Sequence, residues 1–328
     1  MMLRQPGVVT ELPPRDARLW WVRVLSLATL IATFALIVLG SAVRVTNSGM
    51  GCKGWPLCSG DVGPISSFHP LMEQSHRFLA SLVTILIIAL AIAVLRAGGA
   101  ARHVRGPAMV SVGVIVVQIV LGAITVLANN APVTVALHLL VATLFLGVVT
   151  VTAVTSFIAS DRSWSLLHGP GRRAWAAVVA LYLVFISGSI VVNGGAQAAC
   201  KSWPACFSSP AAMGLVAIQL VHRSMVLVGS VLVVAFLVSL LRSRSADAVE
   251  RTFAIGGLAL LAAQIIVGAL SAIESSHTEF ADVHLAFAAA LWGVVVAVFV
   301  MSARGRQARA DAVPGGSSGG SETSHAVA

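Results

Sequence analysis

The sequence predicts an all-α integral membrane protein with eight transmembrane helices, arranged as two tandem four-helix bundles. Three observations predict this class. Of the 328 residues, 58% are hydrophobic and only 10% are charged, with a mean hydropathy of +0.94. Eight stretches are apolar over the roughly 20 residues that a spanning helix needs. The second half of the chain also repeats the first. Because a soluble domain is about one quarter charged, the composition excludes a soluble protein.

The eight predicted spans are separated by short breaks that carry Gly, Pro, Asn or charge, where the chain can leave lipid without burying unpaired backbone groups. The spans cover residues 23–43, 76–96, 108–128, 133–157, 174–193, 215–241, 253–273 and 280–302. We expect four regions: an N-terminal segment (1–22), a first bundle (23–160), a second bundle (161–302) and a disordered tail (303–328) that includes the Gly-Ser-rich stretch 315–320.

The distribution of positive charge predicts the orientation. Of the 21 Lys and Arg residues, five fall on one side of the predicted spans and the rest on the side that holds both termini. The five are Arg44, Lys53, Arg77, Lys201 and Arg223. The bias predicts that both termini are cytoplasmic. The net charge of +9 is then an insertion signal and implies no nucleic-acid partner. A long basic segment before the first span predicts no cleavable signal peptide.

The internal duplication is visible residue by residue. At an offset of 148 residues, Gly40-Ser41 matches Gly188-Ser189, and Cys52-Lys53-x-Trp55-Pro56-x-Cys58 matches Cys200-Lys201-x-Trp203-Pro204-x-Cys206. At an offset of 146, the pairs are His76-Arg77 with His222-Arg223, Gln118 with Gln264, Gly122 with Gly268, His138 with His284, and Gly147 with Gly293. Each repeat holds four spans, so both enter the membrane from the same side. We therefore expect a pseudo-twofold axis along the membrane normal.

Four of the nine histidines belong to the repeat, and they are the candidate cofactor ligands. His76 and His138 are separated by the same 62 residues as His222 and His284. All four fall near the outer ends of spans, so two imidazoles can face each other in each bundle. Ionisable groups inside a span are usually functional, and paired imidazoles are what a haem iron takes as axial ligands. Interhelical hydrogen bonding is the alternative. Zinc would need further ligands, and copper stays open.

Other repeated residues fit a large flat cofactor. Gln118 and Gly122 share one helical face, as do Gln264 and Gly268, and each glycine removes bulk where a macrocycle edge could lie. Close helix packing by small residues is the alternative. Arg77 and Arg223 each follow a repeat histidine. They can pair with haem propionates or extend to the interface.

All four cysteines lie in predicted outer loops, where an oxidising compartment permits disulfides. The natural pairs are Cys52–Cys58 and Cys200–Cys206. We interpret Cys200–Cys206 as structural, whereas a redox role stays open for Cys52–Cys58.

The halves differ at one chemically decisive position. Glu73 stands three residues before His76, and its counterpart before His222 is Gln219. A carboxylate can exchange protons or act as a nucleophile, and an amide can do neither. Glu73 therefore places catalysis in the first half, with an electron-carrying haem in the second. The alternative is a helix-start acid favoured by the helix dipole.

Other charged residues also lack repeat partners. Arg44 is confined to the first half, where its counterpart is Val192. Three acids near the last predicted outer loop have no partners in the first half and are interpreted as solvated loop charge: Glu274, Glu279 and Asp282.

The segment Arg44-x-Thr46-x-Ser48-Gly49-Met50-Gly51-Cys52-x-x-Trp55-Pro56-x-Cys58, followed by Glu73-x-x-His76-Arg77 and the three further repeat histidines, resembles the haem A synthase family. The resemblance covers about residues 23–302. Lys53-Gly54 stands where the family more often has Pro-Asp. The resemblance implies oxidation of the C8 methyl of haem O to the formyl of haem A by O2-dependent hydroxylation.

The resemblance also implies roles for individual residues. His76 and His138 match the substrate haem O site, His222 and His284 match the ligands of a bound haem b, and Glu73 matches the catalytic carboxylate. Haem O synthase would supply the substrate, and cytochrome c oxidase subunit I or its assembly factors would receive the product. The setting would be the bacterial plasma membrane, with haem sites and cysteine loops on the extracytoplasmic side. The electron donor and homo-oligomer formation stay open.

Two other functions are compatible with the residues alone. One is a di-haem b-type electron-transfer cytochrome without oxygenation chemistry, in which Glu73 has no role. The other is a haem transporter, which parallel repeats alone would suit.

Overall fold

The computed structural model describes residues 17–52, 54, 58, 66–158, 170–207, 209–274 and 278–312, without the side chains of 278 and 304–312. Seven helical runs in this part of the chain are long and apolar enough to cross a membrane. The longest, Phe68–Leu127, holds two helices joined by a short 3₁₀ turn, Gly98–Ala101. These two helices pack against each other, so the run folds back at the turn.

The helices coincide with the predicted spans and mostly extend beyond them. Their bounds are α1 Ala17–Val45, α2 Phe68–Ala97, α3 Arg102–Leu127, α4 Pro132–Ser156, α5 Arg172–Asn193, α6 Met213–Leu241, α7 Ala248–Ile273 and α8 Thr278–Ala312. The all-helical membrane class is confirmed. The number of spans, the tandem bundles and the orientation stay predictions.

Local sequence explains several helix ends. Asp247 and Glu250 form a reciprocal capping box at the start of α7. Pro132 opens α4, where its missing N–H removes no helical hydrogen bond. The tight connection before it uses Asn129 and Asn130 at positive φ, a conformation that asparagine tolerates better than most residues.

Two of the helix ends that lie beyond the predicted span boundaries bear on interpretations of the sequence. α2 begins at Phe68, so Glu73 lies in its second turn, beyond the first turn where the helix dipole acts. α8 continues to Ala312 through residues predicted to be disordered. The Gly-Ser-rich stretch 315–320 lies outside the described residues.

The two sequence halves meet along α4 and α8, with α1 against α8 and α5 against α4. The indole N–H of Trp292 donates to the carbonyl oxygen of Thr143 across this seam, at 2.9 Å. A Cβ on Gly147 would lie 3.0 Å from Trp292 Cζ2, and the atom nearest a Cβ on its repeat partner Gly293 would be Thr150 Oγ1 at 3.9 Å. Gly147 thus allows α4 and α8 to approach closely, whereas a side chain at Gly293 would make an ordinary contact.

Candidate active site

Two of the repeat histidines pack edge-on against glycines of the preceding helix. A Cβ on Gly40 of α1 would lie 2.9 Å from Cε1 of His76 on α2. A Cβ on Gly188 of α5 would lie 3.2 Å from Cε1 of His222 on α6. A side chain at Gly40 would force the imidazole to move, and one at Gly188 would crowd it. The match Gly40 to Gly188 in the sequence therefore marks a histidine contact in each half.

The other two histidines use the same device. A Cβ on Gly122 of α3 would lie 3.2 Å from Cε1 of His138 on α4, and a Cβ on Gly268 of α7 would lie 2.7 Å from Cε1 of His284 on α8. The missing side chains of Gly122 and Gly268 thus leave room for an imidazole. The macrocycle edge that the sequence suggested for this space stays a prediction.

Histidines of the same half lie near each other. His76 interacts electrostatically with His138, and His222 interacts in the same way with His284. All four lie in the first three turns of α2, α4, α6 and α8. The structure thus places His76 near His138 and His222 near His284, as their equal separations of 62 residues predicted.

The glutamines hold the second histidine of each pair. Nε2 of Gln118 donates to the carbonyl oxygen of His138 at 3.0 Å and contacts His138 Nε2 at 3.2 Å. Because a carbonyl needs a donor, the first contact fixes which end of the amide faces the histidine. Gln264 Nε2 lies 3.3 Å from His284 Nε2. These amides contact the histidines themselves, and their place beside a cofactor stays a prediction.

The donor set fits haem iron. Each half presents two half-buried imidazoles from two apolar helices, and a pair of imidazoles is what haem takes as axial ligands. Among the described residues, Nδ1 of His76, His138 and His284 is buried without a hydrogen-bond partner. A buried polar atom without a partner costs about 1–3 kcal/mol. Such a cost is typical of sites shaped for function rather than for stability.

Glu73 is the centre of a polar network in the first half. It is only 4% exposed. Oε2 accepts a hydrogen bond from the backbone N–H of Cys52 at 2.8 Å, and Oε1 pairs with the Arg77 guanidinium at 2.5 Å. Arg77 also donates to the carbonyl oxygen of Gly54 at 3.0 Å. The carboxylate thus joins the cysteine loop to the helix that carries His76.

Gln219 occupies the equivalent place with the opposite hydrogen-bonding role. Its Nε2 donates to the carbonyl oxygens of Ala196 and Gln197, at 2.9 and 3.2 Å. The first half presents a backbone donor to Glu73, and the second presents backbone acceptors to Gln219. The backbone of each loop is therefore adapted to its own side chain, so the difference between the halves extends beyond one residue.

The repeated arginines anchor the loops. Arg223 donates to the carbonyl oxygens of Ser202 at 2.7 Å and of Cys200 and Pro204 at 3.1 Å each. Ser202 is the repeat counterpart of Gly54, which Arg77 contacts. The structure thus gives both arginines a loop-anchoring contact that sequence reasoning did not foresee. Their pairing with propionates stays a prediction.

Both predicted disulfides are found. Cys52 and Cys58 are bonded, with their Cα atoms 4.6 Å apart. Cys200 and Cys206 are bonded, with their Cα atoms 5.2 Å apart. Lys53, Trp55 and Pro56 of the first motif lie outside the described residues.

Asp282 corrects one interpretation of the sequence. It lies in α8 and is half-buried, and its Oδ1 is shielded from solvent with no hydrogen-bond partner among the described residues. It interacts electrostatically with Arg44 at the end of α1. Asp282 is therefore not a solvated loop charge, unlike the exposed Glu274 and Glu279. The two unrepeated charges are of opposite sign and interact across the seam.

Sequence reasoning missed one contact of a candidate ligand. Ser187 Oγ lies 2.8 Å from Nδ1 of His222. The signal was available, since Ser187 precedes the repeated Gly188 and its counterpart is Leu39. The change from Leu39 to Ser187 does not stand out in the sequence, because many other positions also differ between the halves.

Comparison with known proteins gives the family. The model of the COX15-CtaA family, described as cytochrome oxidase assembly protein, matches residues 23–296. The chain belongs to this family. Among its relatives are proteins named heme A synthase. The protein of Symbiobacterium thermophilum is 30% identical over 84% of this chain and 93% of its own length.

Two further relatives carry the same name. The heme A synthase of Geobacillus thermodenitrificans is 28% identical over 87% of this chain and 92% of its own length. That of Staphylococcus epidermidis is 27% identical over 88% of this chain and 96% of its own length. The family match spans the four histidines, Glu73 and both disulfides, so it covers the whole candidate site.

Proposed function

We propose that this protein is a haem A synthase, which oxidises the C8 methyl of haem O to the formyl of haem A with O2. The observation that carries the proposal is a pair of histidine sites built alike, in which the first holds the carboxylate of Glu73 where the second holds the amide of Gln219. His76 and His138 would bind haem O as substrate. His222 and His284 would bind haem b.

The relatives support this function. Those named heme A synthase cover 84–88% of the chain in the three comparisons given above. The family description, cytochrome oxidase assembly protein, agrees with a product destined for cytochrome c oxidase. Haem O synthase would supply the substrate.

Glu73 is the residue to which we assign catalysis. Its carboxylate lies three residues from His76 and is fixed by Cys52 N–H and Arg77. A carboxylate held in this way can accept or return a proton beside the substrate methyl, or act as a nucleophile toward an oxidised carbon. Arg77 and the disulfide loop keep it in place and limit access of water. Haem b, when bound, supplies one-electron redox chemistry.

We also propose a topology. The chain would cross the bacterial plasma membrane eight times, as two four-helix bundles with both termini in the cytoplasm. The cysteine loops and histidines would then lie toward the extracytoplasmic side. The excess of positive charge on the opposite side supports this orientation. A labelling scan of single cysteines introduced into loops of the active protein would test it.

The test of the activity is direct. The purified full chain, supplied with haem O, O2 and a reductant, should yield hydroxylated haem and haem A when extracted haems are separated by chromatography. Glu73→Gln should yield neither. A di-haem electron-transfer cytochrome would instead return haem O unchanged. A transporter would depend equally on Glu73 and Gln219, so Gln219→Ala would match Glu73→Ala in effect.

A further inference from the structure

The sequence halves differ in how they support the first histidine of each pair. Gly40 and Gly188 seat His76 and His222 in the same way, so the preceding positions are directly comparable. The position before Gly188 is Ser187, whose Oγ lies 2.8 Å from His222 Nδ1. The position before Gly40 is Leu39, and Nδ1 of His76 is buried without a hydrogen-bond partner among the described residues.

The second histidine of each pair does not show this difference. Gln118 contacts His138 Nε2 at 3.2 Å, and Gln264 contacts His284 Nε2 at 3.3 Å. Both of these histidines also rest on a glycine. The difference in side-chain support of the histidine rings is therefore concentrated on His76 and His222.

Ser187 can also set the tautomer of His222. A hydroxyl has one proton, and Ser187 Oγ lies 2.9 Å from the carbonyl oxygen of Val184, which can only accept. With the proton directed there, Oγ accepts from His222 Nδ1–H. The proton on Nδ1 leaves the lone pair on Nε2, which is the form that binds a metal.

We propose that Ser187 is a positioning residue that makes His222 a permanent haem ligand, and that Leu39 leaves His76 a releasable one. The inference rests on the proposed function, since a substrate haem must leave its site as product whereas a resident haem must stay. Hydrogen bonds to the second nitrogen of a ligating histidine orient the ring and raise its basicity, and losing them typically lowers metal affinity 10- to 100-fold. Among the described residues, His222 Nδ1 has this support and His76 Nδ1 does not.

The experiment measures haem release without turnover. The full chain, loaded with haem b in detergent, is mixed with excess apomyoglobin, and transfer is followed by absorbance. We expect two phases, a fast one from the first half and a slow one from the second. Ser187→Ala should accelerate the slow phase about 10-fold and leave the fast phase unchanged. Ser187→Thr, which keeps the hydroxyl, should restore the slow rate. Leu39→Ser should slow the fast phase.

Ser189→Ala is the matched control. Ser189 is also buried on α5, and its hydroxyl accepts a hydrogen bond from Asn193. An equal acceleration by Ser189→Ala would overturn the proposal, as would an unchanged slow phase in Ser187→Ala or an unchanged fast phase in Leu39→Ser. Electron paramagnetic resonance of the oxidised haem gives a second readout, because a changed imidazole tautomer or orientation shifts the low-spin signal. Haem b release needs no haem O, so a protein that makes no haem A can still pass or fail this test.

Discussion

Glu73 accepts a hydrogen bond from the backbone N–H of Cys52 at 2.8 Å, which ties the unrepeated carboxylate directly to the first disulfide loop. Through Arg77, the same carboxylate is linked to the carbonyl oxygen of Gly54 two residues further along that loop. Any change in the loop therefore reaches the carboxylate. The first disulfide loop and the carboxylate are thus structurally coupled.

Glu73→Gln should abolish turnover while haem O still binds. The amide oxygen can still accept from Cys52 N–H, so the loop contact survives. The other amide atom is a donor and faces the Arg77 guanidinium, which can only donate, so the ion pair is lost. Chromatography of extracted haems should show bound haem O without hydroxylated product.

Arg77→Gln is the control for this variant, because it removes the ion pair and keeps the carboxylate. It should retain measurable turnover if the carboxylate itself reacts. Full activity of Glu73→Gln would contradict the assignment of catalysis to Glu73.

Gln219→Glu should destabilise the second half. A carboxylate there would face the carbonyl oxygens of Ala196 and Gln197, all acceptors. Losing the donor and placing a carboxylate beside the partial negative charge of these oxygens should cost about 1–3 kcal/mol. Thermal unfolding in detergent would show it as a lower Tm, with Gln219→Met as a neutral control of similar size. A Tm for Gln219→Glu at or above that of Gln219→Met would contradict the role of these carbonyls.

The sequence could predict the class of fold and the pairing of the cysteines, because hydropathy and compartment decide them. The repeat also identified His76 and His222 as equivalent. It could not show that Gly40 and Gly188 contact these imidazole rings, because a glycine on an apolar helix can also allow close packing of two helices. Nor could it show that Asp282 is coupled to Arg44, because neither has a repeat partner and the seam exists only in three dimensions.

Gly268→Ala should remove the spectrum of the second-half haem and leave the protein folded. The new Cβ would lie 2.7 Å from Cε1 of His284, so the ring must turn away. The His284 ring moves more easily than the helix backbone, so the substitution should weaken haem ligation rather than unfold the protein. Reduced-minus-oxidised absorbance measures the haem, and circular dichroism measures the fold.

Gly256→Ala on the same helix is the matched control. A Cβ there meets nothing within 4 Å among the described atoms, and alanine favours a helix over glycine by about 1 kcal/mol. It should bind haem normally. Normal haem binding in Gly268→Ala would argue against the seating of His284 on Gly268.

Cys200→Ser should lower stability and retain activity. A disulfide closing so short a loop contributes about 2 kcal/mol. Arg223 still holds the loop through three carbonyl oxygens, so the loop should stay near its native position. Tm and haem A yield would be measured together. A folded but inactive variant would count against a purely structural bond.

Cys52→Ser is the informative comparison for that variant, since Cys52 N–H contacts Glu73 directly. Releasing the first loop should lower turnover more than releasing the second. Equal activity of the two variants would mean that the first disulfide loop does not influence the Glu73 carboxylate.

Arg44→Leu should cost more in stability than Arg44→Leu combined with Asp282→Leu. The single change leaves the half-buried Asp282 carboxylate without its compensating charge, whereas the double change removes both charges from the seam. Removing one member of a buried pair is strongly destabilising, but replacing both by apolar groups is often neutral. A double-mutant cycle on unfolding should therefore give a coupling of about 1 kcal/mol or more. Because the two residues belong to different sequence halves, additive effects would mean that this electrostatic interaction does not hold the halves together.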